Sequence, residues 1–88
     1  MFNREKNDEK RVHRHKIELV TLKDVSGFVS AVSKYNSEVY LTDGNRLCVS
    51  AKSLLGAMAS VEWNSLYCES NEDIYTIIQE YCVEEKNE

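Results

Sequence analysis

The sequence predicts an α+β domain: a four-stranded antiparallel sheet with three amphipathic helices on one face, in the order β-α-β-β-α-β-α. Three observations lead there. Short segments alternate apolar and polar residues with a period of two, longer segments repeat apolar residues every three or four, and turn or capping signals separate them. With 88 residues, 42% hydrophobic content, no proline and three glycines, the chain suits one globular domain rather than two. A chain of this size buries about 60% of its unfolded surface, which leaves no room for a large enclosed cavity.

A first strand over 15–20 follows from Ile17 and Leu19 alternating with Lys16, Glu18 and Val20. Thr21-Leu22-Lys23-Asp24 then has capping-box spacing, and Val25, Phe28, Val29 and Val32 form one helical stripe, so a helix spans 22–35. Gly27 within it marks either a tolerated surface position or a close backbone approach. Val39 and Leu41, then Leu47 and Val49, alternate with polar neighbours around Asp43-Gly44-Asn45, which reads as a β-hairpin. A short second helix over 52–59 has Ser50 or Ser53 as its cap. Leu66 and Cys68 define the fourth strand. Ser70-Asn71-Glu72-Asp73 repeats the capping-box spacing before a last helix carrying Ile74, Ile77, Ile78 and Tyr81.

Charge divides the chain. Residues 1–16 hold six Lys/Arg against three acids, whereas the other seventy-two carry five basic and twelve acidic side chains. Residues 1–14 therefore read as a mobile basic arm and 15–88 as the folded domain. A basic arm can contact nucleic acid through counterion release, but this one interleaves acids and has Phe2 as its single aromatic. Solvation, or folding back onto the acidic domain, is the simpler expectation.

The longest apolar runs, Leu19-Val20 and 54–59, fall far short of the roughly 18 residues that signal a membrane span. The charged start lacks the apolar region of a secretory signal, so a cytoplasmic location is expected. Cys48, Cys68 and Cys82 match neither a C-x-x-C pair nor a zinc spacing and are expected as reduced thiols. No Gly-rich phosphate loop, nucleophile elbow or His-Cys-acid grouping occurs, so no enzyme, cofactor, metal or small-molecule substrate is expected. The carboxylates of Glu80, Glu84, Glu85 and Glu88 read as a solvated helix face.

The element order and the segment Val49-Ser50-Ala51-Lys52-Ser53-Leu54-Leu55-Gly56-Ala57-Met58 resemble HPr, the histidine-containing phosphocarrier of the bacterial sugar phosphotransferase system. The resemblance covers about residues 15–85 and implies an HPr-like open-faced sandwich. It makes Ser53 the counterpart of the serine that an ATP-dependent kinase phosphorylates in many Gram-positive bacteria. It also makes Lys52, Leu54, Leu55 and Met58 counterparts of the surface that docks phosphotransferase enzymes and transcriptional regulators. Helical spacing alone does not separate exposed from buried here: at least one of Leu54, Leu55 and Met58 is expected to face the sheet, with Leu55 outward. Trp63 and Tyr67 have the same ambiguity, and alternation puts Tyr67 on the open sheet face as an interface anchor.

The chain departs from the family where HPr carries its phosphoryl-accepting histidine, followed by an arginine and a proline. Here Val20-Thr21-Leu22-Lys23-Asp24-Val25 joins strand to helix without any of the three. The resulting expectation is a regulatory or scaffolding protein-binding module without carrier chemistry. Its partners would be phosphotransferase-system enzymes, HPr kinase or a transcriptional regulator, with a possible switch at Ser53 and no membrane or nucleic-acid partner. The alternatives are a carrier that uses His13 or His15, and a nucleic-acid-binding domain that uses the basic arm.

Overall fold

The computed structural model describes residues 12–83. Strand β1 (His13–Lys16) is followed by α1 (Leu22–Ser33), the hairpin β2 (Val39–Thr42) and β3 (Cys48–Ser50), α2 (Leu54–Ser60), β4 (Tyr67–Ser70) and the short α3 (Tyr75–Ile78). A 3-10 turn, Gln79–Tyr81, continues α3. The strands form one antiparallel sheet in the order β1-β4-β2-β3, so β4 and β2 are central and β1 and β3 are edges. The α+β class and the element order are as the patterning predicts.

Alternation decides which sheet face the helices cover. Leu41 pairs with Cys68 and Val49, and Cys68 with His15, so these four occupy one row on the covered face. Val39, Leu41 and Cys68 are buried there beneath Val25, Phe28, Val32, Ile74 and Ile78. The next row, Arg14-Glu69-Tyr40-Ser50, lies on the open face, because successive strand residues point to opposite sides. Burying Phe28 alone is worth about 1.5–3 kcal/mol.

Helix α1 starts where the sequence places it. Thr21 Oγ1 accepts from Asp24 N at 3.1 Å, and Asp24 Oδ2 accepts in return from Thr21 N at 3.1 Å, closing the capping box. In the hairpin, Asp43 Oδ1 accepts from Asn45 N and Leu47 N, and Gly44 takes a φ of 84°, a left-handed value that suits glycine. That five-residue loop lifts Leu47 out of β3 and leaves it exposed.

Three expectations change. The first strand occupies 13–16 rather than 15–20, so His13 and Arg14 belong to the sheet and not to the arm. Beyond Lys16 the chain exchanges partners: Ile17 bridges Cys82, and Glu18 N donates to Tyr81 O at 2.9 Å. Ile17 and Leu19 are nevertheless buried. The remaining arm, residues 1–11, lies outside the described residues, as do Glu84, Glu85 and Glu88.

The second change is at the last helix, where no capping box forms. Ser70 ends β4 and its hydroxyl donates to Glu72 O at 2.6 Å, while Asp73 Oδ1 accepts from Tyr75 N in an Asx turn. The helix is reduced to one turn plus the 3-10 segment. The third change concerns α2 and is described with the site.

Gly27 is a point of close approach. A Cβ there would lie 2.5 Å from the hydroxyl oxygen of Tyr81, whose ring also meets Phe28 edge-on with centroids 5.5 Å apart. Alanine in a helix interior is worth about 1 kcal/mol over glycine, a gain that this contact cancels. Gly27→Ala is therefore expected to stabilise by about 1 kcal/mol in a Tyr81→Phe background and not in the parent chain. A double-mutant cycle of urea unfolding checks the coupling.

Candidate docking surface

The start of α1 is already occupied by a carboxylate of its own chain. Asp24 Oδ2 accepts from Val20 N at 2.9 Å as well as from Thr21 N, the two amides just ahead of the helix, which fixes a negative charge at its start. These donors hold the Asp24 carboxyl below the usual aspartate range. The residues around it are apolar: Val20 and Leu22, on either side of the cap, are 66% and 64% exposed.

Helix α2 presents the other half of the surface. Ser53 caps it, with Oγ accepting from Gly56 N at 3.0 Å, and the residue is exposed. The side of α2 against the sheet consists of small residues, Ala57 and Ser60 being fully buried. A Cβ on Gly56 would lie 3.2 Å from Val49 Cβ, so the helix sits too close to β3 for a large side chain to intervene. Leu54, Leu55 and Met58 are therefore all turned outward, at 48%, 78% and 41% exposure. The expectation that at least one of them faces the sheet is corrected: the small side of α2 takes the buried position.

Met58 joins the two halves. With Val61 and Glu62 it lines a shallow groove of about 160 Å³ against Val20, Thr21, Leu22 and Val25. The result is an apolar surface running from Leu54 and Leu55 across Met58 and Val61 to Val20 and Leu22. The sequence reading missed Val20, Leu22 and Val61. The available signal was a hydrophobic residue on each side of the Thr21 cap, since Val20 and Val25 hold the positions of a hydrophobic staple.

The other predicted residues lie elsewhere or act internally. Lys52 is half-buried, and its Nζ donates to Tyr35 O at 2.6 Å, tying the start of α2 to the end of α1. Tyr67 lies on the open sheet face, where the Arg14 guanidinium sits 5.3 Å from its ring centre and Gly44 lies beneath it. It is thus on a different face from the leucines. Trp63 is half-buried and packs on the core.

His13 pairs with Ser70 at the end of β1 remote from the α1 cap. His15 lies against Tyr75, with ring centroids 5.4 Å apart, and its Nε2 is 3.4 Å from Asp73 Oδ1, long for a hydrogen bond. Cys48, Cys68 and Cys82 are free thiols; burial pushes Cys68 up to about 12, where it is inert at neutral pH. Among the described residues, no group of three or more His, Cys, Asp or Glu could hold a metal ion, and no helix is long and apolar enough to cross a membrane.

No known family model, curated protein or solved structure matches the chain.

Two outcomes test the geometry. Because Asp24 is depressed in the folded state, its contribution is present above the unfolded carboxylate value and lost as pH falls through the folded one. The stability gap between the parent chain and Asp24→Asn, followed by urea unfolding, should be largest at neutral pH and close under acid. Leu55→Asn should change unfolding free energy by no more than about 0.5 kcal/mol, as for surface positions. Ala57→Asn, at a fully buried position, should cost several times more.

Proposed function

We propose that the chain is an HPr-like domain that has lost carrier chemistry and acts as a regulatory or scaffolding protein-binding module, switched by phosphorylation at Ser53. The observation that carries this reading is the outward placement of Leu54, Leu55 and Met58 beside an exposed Ser53. Those residues stand in the segment most similar to HPr. The antiparallel sheet with its helical layer is the architecture that the resemblance implies.

The proposed loss of carrier chemistry draws support from the start of α1. The amides of Val20 and Thr21, just ahead of the helix, donate to Asp24, and a second anion brought there would meet a fixed negative charge. The alternative carriers, His13 and His15, are on β1, where His15 faces Asp73 and Tyr75.

A phosphate on Ser53 would place nearly two negative charges at the margin of an apolar patch. Binding of an apolar partner would then require desolvation of that charge, whereas a partner with an arginine opposite would gain charge-assisted hydrogen bonds. The same surface would thus exchange one class of protein partner for another. Phosphotransferase-system enzymes, HPr kinase and a transcriptional regulator are the partners proposed.

Intact-mass spectrometry after incubation with ATP and HPr kinase, in parallel with phosphoenolpyruvate and the first phosphotransferase enzyme, tests the reading. One acid-stable phosphate mapped to Ser53 in the first reaction and none in the second is the expected result. Acid-labile phosphate on His13 or His15 would overturn the loss of carrier chemistry. No phosphate in either reaction would remove the switch.

A further inference from the structure

The groove beside Met58 does not end there. Val20 and Val61, which line it, also line a second groove of about 490 Å³ that continues between the β1–α1 connector and the turn after α2 as far as Trp63 and Asn64. One trough therefore runs along the end of α2. Leu54, Met58 and Val61 stand at positions i, i+4 and i+7 of that helix and are all exposed, so they form an apolar stripe about 10 Å long beside the trough.

The margin of the trough is acidic. Glu62 lines the first groove and Glu18 the second, and both are exposed. Asp24 adds a charge that is fixed in place, because the amides of Val20 and Thr21 both donate to it. The cations nearby are Lys23, next to Asp24 in the chain, and Lys16, where the second groove meets β1. A second copy of the chain is a poor occupant, since a two-fold pairing through this surface would bring the same carboxylates together. A segment of opposite charge is a good one.

We propose that this trough receives an amphipathic helix of a partner protein, apolar on one side and carrying arginine or lysine on its flanks, and that Glu18, Asp24 and Glu62 select those flanks. The proposal rests on the reading of this surface as a docking site and names the chemistry of the partner; it does not depend on phosphate at Ser53. A helix suits the surface because the stripe on α2 repeats as a helix does, and two such stripes pack side by side. Apolar contact supplies affinity. The carboxylates supply selectivity, since a cation opposite them gains and an anion is repelled.

Three synthetic peptides test the proposal, with leucines at the same i, i+3, i+4 and i+7 spacing and flanks of arginine, glutamine or glutamate. Each is titrated into the full chain and followed by NMR. The arginine peptide should shift the resonances of Val20, Leu22, Met58 and Val61. It should bind about tenfold more tightly than the glutamate peptide at low salt, with the gap narrowing as salt is raised. Glu18→Gln combined with Glu62→Gln, both at exposed positions, should reduce that preference several-fold. A preference unchanged by the double substitution would overturn the proposal. Equal binding of all three peptides at these residues would also overturn it, while leaving the docking reading in place. No shift at these residues with any peptide would remove the trough as the docking site.

Discussion

The structure depends on the seating of one helix, α1, across a sheet only four strands wide. Phe28 sits wholly out of solvent at the middle of the contact, with Val25 and Val32 a turn away on either side. Both other helical segments are fixed by reference to it. The Lys52 ammonium holds the start of α2 to the carbonyl of Tyr35, just past the end of α1. Tyr81 leans over Gly27 and meets Phe28 edge-on, which secures the chain after α3. A one-turn helix has no stability of its own, so the position of α3 is set by this packing and by the buried Ile74 and Ile78.

The exposed apolar surface follows from the same packing. Close approach of α2 to β3 requires Gly56, Ala57 and Ser60 on the inward side, and Ser60 stays there because its hydroxyl donates to Ala57 O at 2.7 Å. With the inner side filled by small residues, the large ones are left facing water. Full burial of such a side chain is worth roughly 1.5–3 kcal/mol, and each of the three forgoes a large part of it. Folding does not account for their presence; the docking role proposed above would.

Much of the fold was legible because local chemistry and periodicity agreed. The Thr21–Asp24 capping box, the apolar stripe of α1 and the Gly44 turn each follow from residue types at fixed spacing. The failures came where the same pattern permits two outcomes. Ser70–Asp73 has the spacing of Thr21–Asp24, but Ser70 belongs to β4 and its hydroxyl goes to a carbonyl instead of an amide. His-Arg-His-Lys has no apolar alternation, so β1 is specified by β4 and not by its own composition. On α2, helical spacing grouped Leu54 with Met58 but carried no information on which side faced the sheet. That choice was made by the absence of bulk at Gly56 and Ala57, a signal that a search for apolar residues passes over.

The α1 cap places a fixed negative charge at the start of that helix. Two adjacent backbone donors at the start of a helix are a general means of holding an anion. Here the amides of Val20 and Thr21, just ahead of the helix, hold the Asp24 carboxylate of the same chain, and an intramolecular acceptor has the advantage of having lost its translational freedom already. A second anion at that end would meet the charge of Asp24. The residues on either side, Val20 and Leu22, offer apolar contact. With Thr21 and Val25 they continue the apolar surface around Met58, so apolar contact and the Asp24 carboxylate meet at this end of the molecule.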